Sequence, residues 1–286
     1  RDLTQSPEFR QTIDVNHLSK KQLLSSYPKT YQWLSETVKL ERSTNNDPKL
    51  KREWWRYRRA NTSIRDGIKD LNRYIATVRT AKHRVFQFLN SEIMAESGVV
   101  MIFLDDSYFL GICSSSLHII WALAQGGRLE DRPVYNHDAC FYRFPFPDPS
   151  EELKQEIREL GERLDSHRKQ VQAAHPEVTI TAMYNCLEKM RSGEPFTDGD
   201  REFNNKALIT TLKQIHDDLD QAVFCAYGWE DLIPLWQKVS LPKGDLEGCQ
   251  TEPNNTETKE QLEQSILQRL VDLNAERAEE ERNGFV

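Results

Sequence analysis

The side chains with the clearest chemical potential in this sequence are cations gathered in one window. Residues 49–84 hold twelve Lys and Arg against three acids (Glu53, Asp66 and Asp70), a local net of +9 in a chain whose total is −7. Lys51, Arg52, Arg56, Arg58, Arg59, Arg65, Arg73, Arg79, Lys82 and Arg84 are the main contributors, with His83 set between two of them and Trp54, Trp55, Tyr57 and Tyr74 interleaved. Cations neutralise phosphates and release their counterions, while aromatic rings and guanidinium planes pack on bases and sugars; the combination points to a polyanion, with nucleic acid first among them. The plainer alternative is a solvated cationic face. For His83 it is a structural place rather than a phosphate or base contact, and for adjacent tryptophans it is a place in the core, because aromatics bury large areas.

Catalytic chemistry finds less support. The sequence has no GxGxxG, no Walker loop, no GxSxG and no HExxH. An acid and lysine in the nuclease-like arrangement occur as Glu152-x-Lys154 and Glu257-x-Lys259, but both fall in charged helical faces with no strand to align them. The run His216, Asp217, Asp218, Asp220 contains metal-ligand types, yet these positions point to different sides of a helix. No catalytic residue, cofactor-binding residue or metal ligand is assigned.

Composition bounds the rest. A chain of 286 residues with 29% charged and 38% hydrophobic residues has the makeup of a soluble globular protein of about two domains. Its longest apolar stretch, residues 108–124, is interrupted by Ser114, Ser115, Ser116 and His118, so no membrane association is expected. Cys113, Cys140, Cys186, Cys225 and Cys249 are scattered, odd in number and never CxxC, which fits a reducing, cytoplasmic setting. The first residues, RDLTQSPEFR, lack both an initiator Met and a signal-peptide core, and the chain is expected to be a piece of something longer. Residues 1–149 carry a net +5 and residues 150–286 a net −12, so two different surfaces are implied.

The elements that must position the cations follow in order. Leu18, Leu23, Leu24, Tyr31, Leu34 and Val38 suit two short helices broken near Pro28, and STNNDP at residues 43–48 reads as a linker. RYIATVRT, RVFQFLN and VVMIFLD read as three strands of an antiparallel sheet. One helix is expected against that sheet in the stretch YFLGICSSSLHIIWALAQGG, residues 108–127, started by Asp105 and Asp106 and stopped by Gly126 and Gly127. Residues 128–149, with Pro145, Pro147 and Pro149, are expected to be an irregular loop. Beyond residue 150 the periodicity predicts four or so helices, including a single long one from about Asp200 to Val223 with Leu208 in its apolar stripe. The expected fold class is α+β: a small mixed domain with a mainly antiparallel sheet packed on a helix, followed by an all-α helical bundle. The expected divisions are 1–48 (connecting helical segment), 49–149 (recognition domain) and 150–286 (helical domain).

Six blocks then carry a resemblance: KREWWRY, RYIATVRTAKHRVFQFL, LDDSYFLGICSSSLHIIWAL, YNHDACFYRFPFP, TAMYNCLEKMRSGEPFT and QIHDDLDQAVFCAYGW. In this order they resemble the C-terminal part of large class I SAM-dependent DNA methyltransferases, including the MmeI-like type II restriction-modification fusion enzymes. The resemblance covers residues 27–282 and implies a target recognition domain followed by a C-terminal helical region. Neither the glycine-containing SAM motif nor the Asn-Pro-Pro-Tyr motif is present, so the chain is expected to read DNA and to be inactive alone. S-adenosyl-L-methionine is implied as cofactor of the parent enzyme, not of this fragment. Restriction-modification or phage defence is the implied setting, with methyl transfer to adenine N6 in a duplex as the parent's reaction.

The implied partners are duplex DNA and the methyltransferase domain that precedes this region in the family. Phosphate contacts would set position, and Arg79, Lys82, His83 and the loop from Arg128 to His137 would read base edges. Asp105, Asp106, Tyr108 and Phe109 match a block read as a fold signature. A reading of another class also stands: the acidic helical half could dock a methyltransferase domain or partner subunit without binding DNA itself.

Overall fold

The computed structural model describes residues 13–58, 62–130, 132–240 and 255–284. It divides into two compact units, Phe9–Asp70 and Leu71–Val286. The divisions expected at residues 48 and 149 therefore do not coincide with the structural one. Trp54 and Trp55 explain the first difference, because they pack into the small N-terminal core. Close helix packing across residue 149 explains the second.

Among the described residues the first unit holds five short helices: α1 (Lys20–Ser26), α2 (Pro28–Glu36), α3 (Val38–Ser43), α4 (Pro48–Arg52) and α5 (Thr62–Ile68). Ser19 and Gln22 form a reciprocal capping box on α1, and Pro28 opens α2, where its missing N–H costs nothing. Asp47 caps α4, so the expected linker is itself a helix start. Val15, Leu23, Leu34 and Trp54 form the core.

The second unit opens with β1 (Arg73–Val78), β2 (Phe86–Asn90) and β3 (Val99–Ile102), an antiparallel sheet in the order β2-β1-β3. Register places Ile75 opposite Phe88 and Ile102, and Thr77 opposite Phe86 and Val100. Strand side chains alternate, so these residues share one face. That face forms a core with Leu110, Cys113, Tyr135 and Cys140. Tyr74, Ala76 and Met101, of opposite parity, are buried as well, which makes β1 buried on both faces.

The single helix expected in residues 108–127 is two helices, α6 (Ser107–Ser114) and α7 (Ser116–Gln125), meeting at a 66° bend. Ser115 breaks the run: in extended conformation it accepts from the His118 N–H and caps α7. Residues 127–129 and 132–134 also depart from the expected irregular loop, pairing as the strands β4 (Gly127–Leu129) and β5 (Arg132–Val134) of a hairpin. A π-helical turn follows at His137–Tyr142, capped by Asn136. Only the proline-rich remainder is irregular.

α8 (Glu151–Ala174) lies against α6 at very short range. A Cβ on Gly161 would stand 2.4 Å from the Ser107 carbonyl oxygen, and one on Gly111 would stand 2.8 Å from Ile157 Cγ2. α9 (Ile180–Ser192), α10 (Asp198–Ala207) and α11 (Ile209–Ala226) complete the main bundle, joined by α12 (Ile233–Ser240) and α13 (Asn255–Arg282). The single helix expected from Asp200 to Val223 is broken at Leu208, which is half exposed with φ 50° while Asn204 Oδ1 caps the Thr210 N–H. Ile157, Leu164, Met183, Leu212, Leu219, Val223, Leu262 and Ile266 are among its core residues. Among the described residues no single helix is long and apolar enough to cross a membrane.

Candidate nucleic-acid interface

The cations nominated from sequence divide between the two units, and within each unit partners decide their availability. In the first unit, Lys51 and Arg52 lie at the end of α4 and are exposed, Arg52 pairing with its neighbour Glu53. Arg58 is also exposed, with Asp47 at 3.9 Å. Arg56 is turned inward: it donates to the Leu18 carbonyl at 3.2 Å, meets Glu53 at 3.5 Å and lies over the Trp55 ring. Arg65 pairs with Asp14. Arg59 lies outside the described residues.

The interleaved aromatics are mainly structural. Trp54 is 4% exposed in the core and meets Tyr31 and Trp55 edge to face. Trp55 donates its indole N–H to the Leu18 carbonyl. Tyr57 is half exposed and donates to the Ile13 carbonyl, whereas Tyr74 is fully buried and donates to the Ile93 carbonyl.

In the second unit, Arg73 gives Glu162 two bonds of 2.9 Å, holding that carboxyl below its ordinary value. Lys82 donates to Asn185 Oδ1 at 2.9 Å and to Glu188 at 2.8 Å, and His83 Nε2 donates to the same Asn185 oxygen at 2.7 Å. Arg84 bonds Thr77 Oγ1 and the carbonyls of Val78, Arg79 and Pro133, with its guanidinium over the Tyr135 ring. This arginine is a strut: it ties the end of β1 to β5. Burial lowers its pKa, and burial together with its charge presses the neighbouring His118 down to about 3, leaving that imidazole neutral in the core. His118 shares a hydrogen bond with Tyr135, the residue after β5.

What this strut supports is the β4–β5 hairpin. Thr80 bridges Val134, the Tyr135 N–H donates to the Arg79 carbonyl, and Val134 pairs with Gly127, so residues 79–80, 132–135 and 127–129 run side by side. Arg79, Arg128 and Arg132 are exposed and have no ion pair or side-chain hydrogen bond among the described residues. Arg128 lies opposite Pro133 and Arg132 opposite Leu129, so the ribbon carries a cation on each face. Leu129 is 61% exposed, and Glu130 at the tip has φ 58°.

The π-helical turn supplies a second exposed group that sequence reasoning missed. His137 donates Nε2–H to the Met101 carbonyl, and the Tyr142 ring, 72% exposed, stacks on it at an interplanar angle of 25°. Arg143 follows, exposed and without a partner among the described residues. The only sequence signal was the block FYRFPFP, which reads equally well as core. Among the described residues no three His, Cys, Asp or Glu side chains gather as metal ligands.

The family model described as "MmeI, target recognition domain" matches residues 20–148. DNA methyltransferase A of Bacillus subtilis (strain 168) is 36% identical over 73 residues, which are 25% of this chain and 8% of that protein. The structure of the Type IIL restriction-modification enzyme MmeI in complex with DNA shares the fold with a TM-score of 0.55 at 14% identity, over 89% of this chain and 28% of that one. The chain thus spans a minor part of the length of the proteins it matches. Residues 20–148 are thus similar to the MmeI target recognition domain.

Proposed function

We propose that this chain recognises a specific duplex DNA sequence for a SAM-dependent, adenine-N6 methyltransferase of a restriction-modification or phage-defence system. The observation that carries the reading is the β4–β5 ribbon, which projects Arg128 and Arg132 with Arg79 at its base, all unpaired among the described residues. The major groove of DNA admits a two-stranded ribbon, and arginine offers a bidentate fork to guanine O6 and N7. Glu130 at the tip supplies an acceptor for a cytosine amino group. The family match supports the assignment, since target recognition is what that family's description names.

Division of labour follows from the physics of the reaction. Extruding a base costs a few kcal/mol, which groove and phosphate contacts made by a separate recognition domain offset. S-adenosyl-L-methionine belongs with a catalytic domain of the parent enzyme. The described residues do not fit it: their sheets are antiparallel, without the strand-helix-strand crossover that cradles such a nucleotide-like ligand. The partners are therefore duplex DNA and a methyltransferase domain of the same parent chain.

Fluorescence anisotropy with duplexes tests this reading. Binding that weakens steeply with salt is expected, and replacing Arg79, Arg128 and Arg132 with Ala should either flatten that slope or relax preference at particular base pairs. A salt-independent signal, unchanged in the triple variant, defeats it.

A further inference from the structure

β2 is an edge strand, and its outward peptide groups at Phe86 and Phe88 have no strand partner. Side chains of α8 occupy them instead. Asp165 Oδ1 accepts from the Phe88 N–H at 3.1 Å, Lys169 Nζ donates to the Phe88 carbonyl at 2.8 Å, and Arg168 donates to the Phe86 carbonyl at 2.9 Å. Arg168 is 2% exposed, and its guanidinium also meets the Tyr184 hydroxyl, which bonds the buried His216. One turn further, α9 holds the loop that leads into β2. Asn185 binds both Lys82 and His83, Glu188 binds Lys82, and the Tyr184 ring lies 6.0 Å from that of His83.

Residues 82–88 are thus gripped from one side by two helices, and Arg84 within that stretch carries the grip across to Pro133 in the hairpin. We propose that Asn185 and Glu188 are positioning residues for sequence recognition: acting through Lys82, His83 and Arg84, the helical region sets the pose of the β4–β5 ribbon. This rests on the DNA-reading assignment above and adds who sets its precision. Lys82, although exposed, and His83 then serve to hold the protein's own loop, and the readers are the unpaired cations on the other side of Arg84. The ribbon's three-residue strands lie outside both core clusters of its unit, so its angle rests on the Arg84 strut together with the Thr80–Val134 bridge and the buried Tyr135 at its base.

Asn185 and Glu188 are exposed, so their replacement leaves the core intact. The test selects duplexes from a randomised library with the 286-residue chain and with Asn185→Ala, Glu188→Ala and the double variant. Each variant is then titrated against the wild-type winner and a scrambled duplex. The double variant should lose about tenfold of the ratio between the two affinities, at the lower end of what one reading residue supplies. Affinity for the scrambled duplex and the slope of log K against log salt should stay unchanged. Asn185→Asp, which keeps the acceptor oxygen, should restore most of the ratio, and the charge swap Lys82→Glu with Glu188→Lys should do better than either single change.

A Lys82→Ala variant whose salt slope drops by about one for every sequence would overturn the proposal by making Lys82 a phosphate contact. An unchanged selectivity ratio in the double variant would do the same. Hydrogen exchange of the amides of residues 80–88 and of Arg132, Val134 and Tyr135 without DNA separates the two ideas. Faster exchange in the double variant supports the clamp even if no duplex binds, and unchanged exchange overturns it even if DNA binding is secure.

Discussion

The guanidinium of Arg73 lies 3.6 Å from the centroid of the Phe88 ring while holding Glu162 with both of its terminal nitrogens. A charge committed in this way is not available to a phosphate. Arg73→Met, which keeps the aliphatic stem, is expected to lower stability by about 1 kcal/mol, the pair being discounted for its exposure to solvent. The salt slope of DNA binding should not move. A slope reduced by about one would return Arg73 to the interface.

Tyr142 makes the opposite prediction. Its ring is presented outward on His137, so Tyr142→Ala should leave Tm nearly unchanged and weaken duplex binding by about 1 kcal/mol, the lower end for an aromatic that packs on bases or sugars. Tyr142→Phe should bind as the wild type does. Equal binding by the alanine variant takes the turn out of the interface.

Gly161 reports on the packing that unites sheet and bundle. With its Cβ 2.4 Å from the Ser107 carbonyl, Gly161→Ala forces α6 and α8 apart and should cost about 3 kcal/mol or more, read as a shift in the urea midpoint. Gly199→Ala, whose Cβ meets nothing nearer than 3.8 Å, is the control expected to be nearly neutral or stabilising.

Asp220 predicts a pH dependence. Burial raises its pKa to about 6, although both oxygens accept from Ser116, one from the N–H and one from the hydroxyl. A folded pKa above the unfolded value means that its contribution is fully present below about pH 4 and is lost as pH rises through about 6, on the order of 3 kcal/mol in all. His118 and His216, whose pKa values are lowered by burial, act in the reverse sense as pH falls below about 6.5. The informative quantity is therefore the stability difference between Asp220→Asn and wild type. It should favour the variant progressively from pH 4 to pH 7; a difference that is flat with pH would show that Asp220 titrates normally.

Much of the architecture was legible in advance. The β-branched and aromatic runs at residues 73–80, 84–90 and 99–105 contain the three strands found, and steps of four and three placed α8 correctly. The failures were local competitions. Ser115 caps a new helix where the apolar pattern runs straight through it, and Leu208 takes a left-handed conformation that an apolar stripe gives no hint of. The hairpin at residues 127–134 escaped because three-residue strands outside the core clusters leave no hydrophobic alternation to read.

The interface divides in the same way. Residue types alone determine that residues 49–84 are strongly basic, that the chain lacks catalytic signatures and that its blocks match a recognition family, because charge and motif are properties of the local sequence. Which cations stand without a partner was decided only by the tertiary structure. The carboxylates that occupy Arg73 and Lys82 lie 89 and 106 residues away, brought close by helices packing on a strand edge. An ion pair needs its charged atoms within about 4 Å, so a cation's availability depends on where the fold places its distant neighbours.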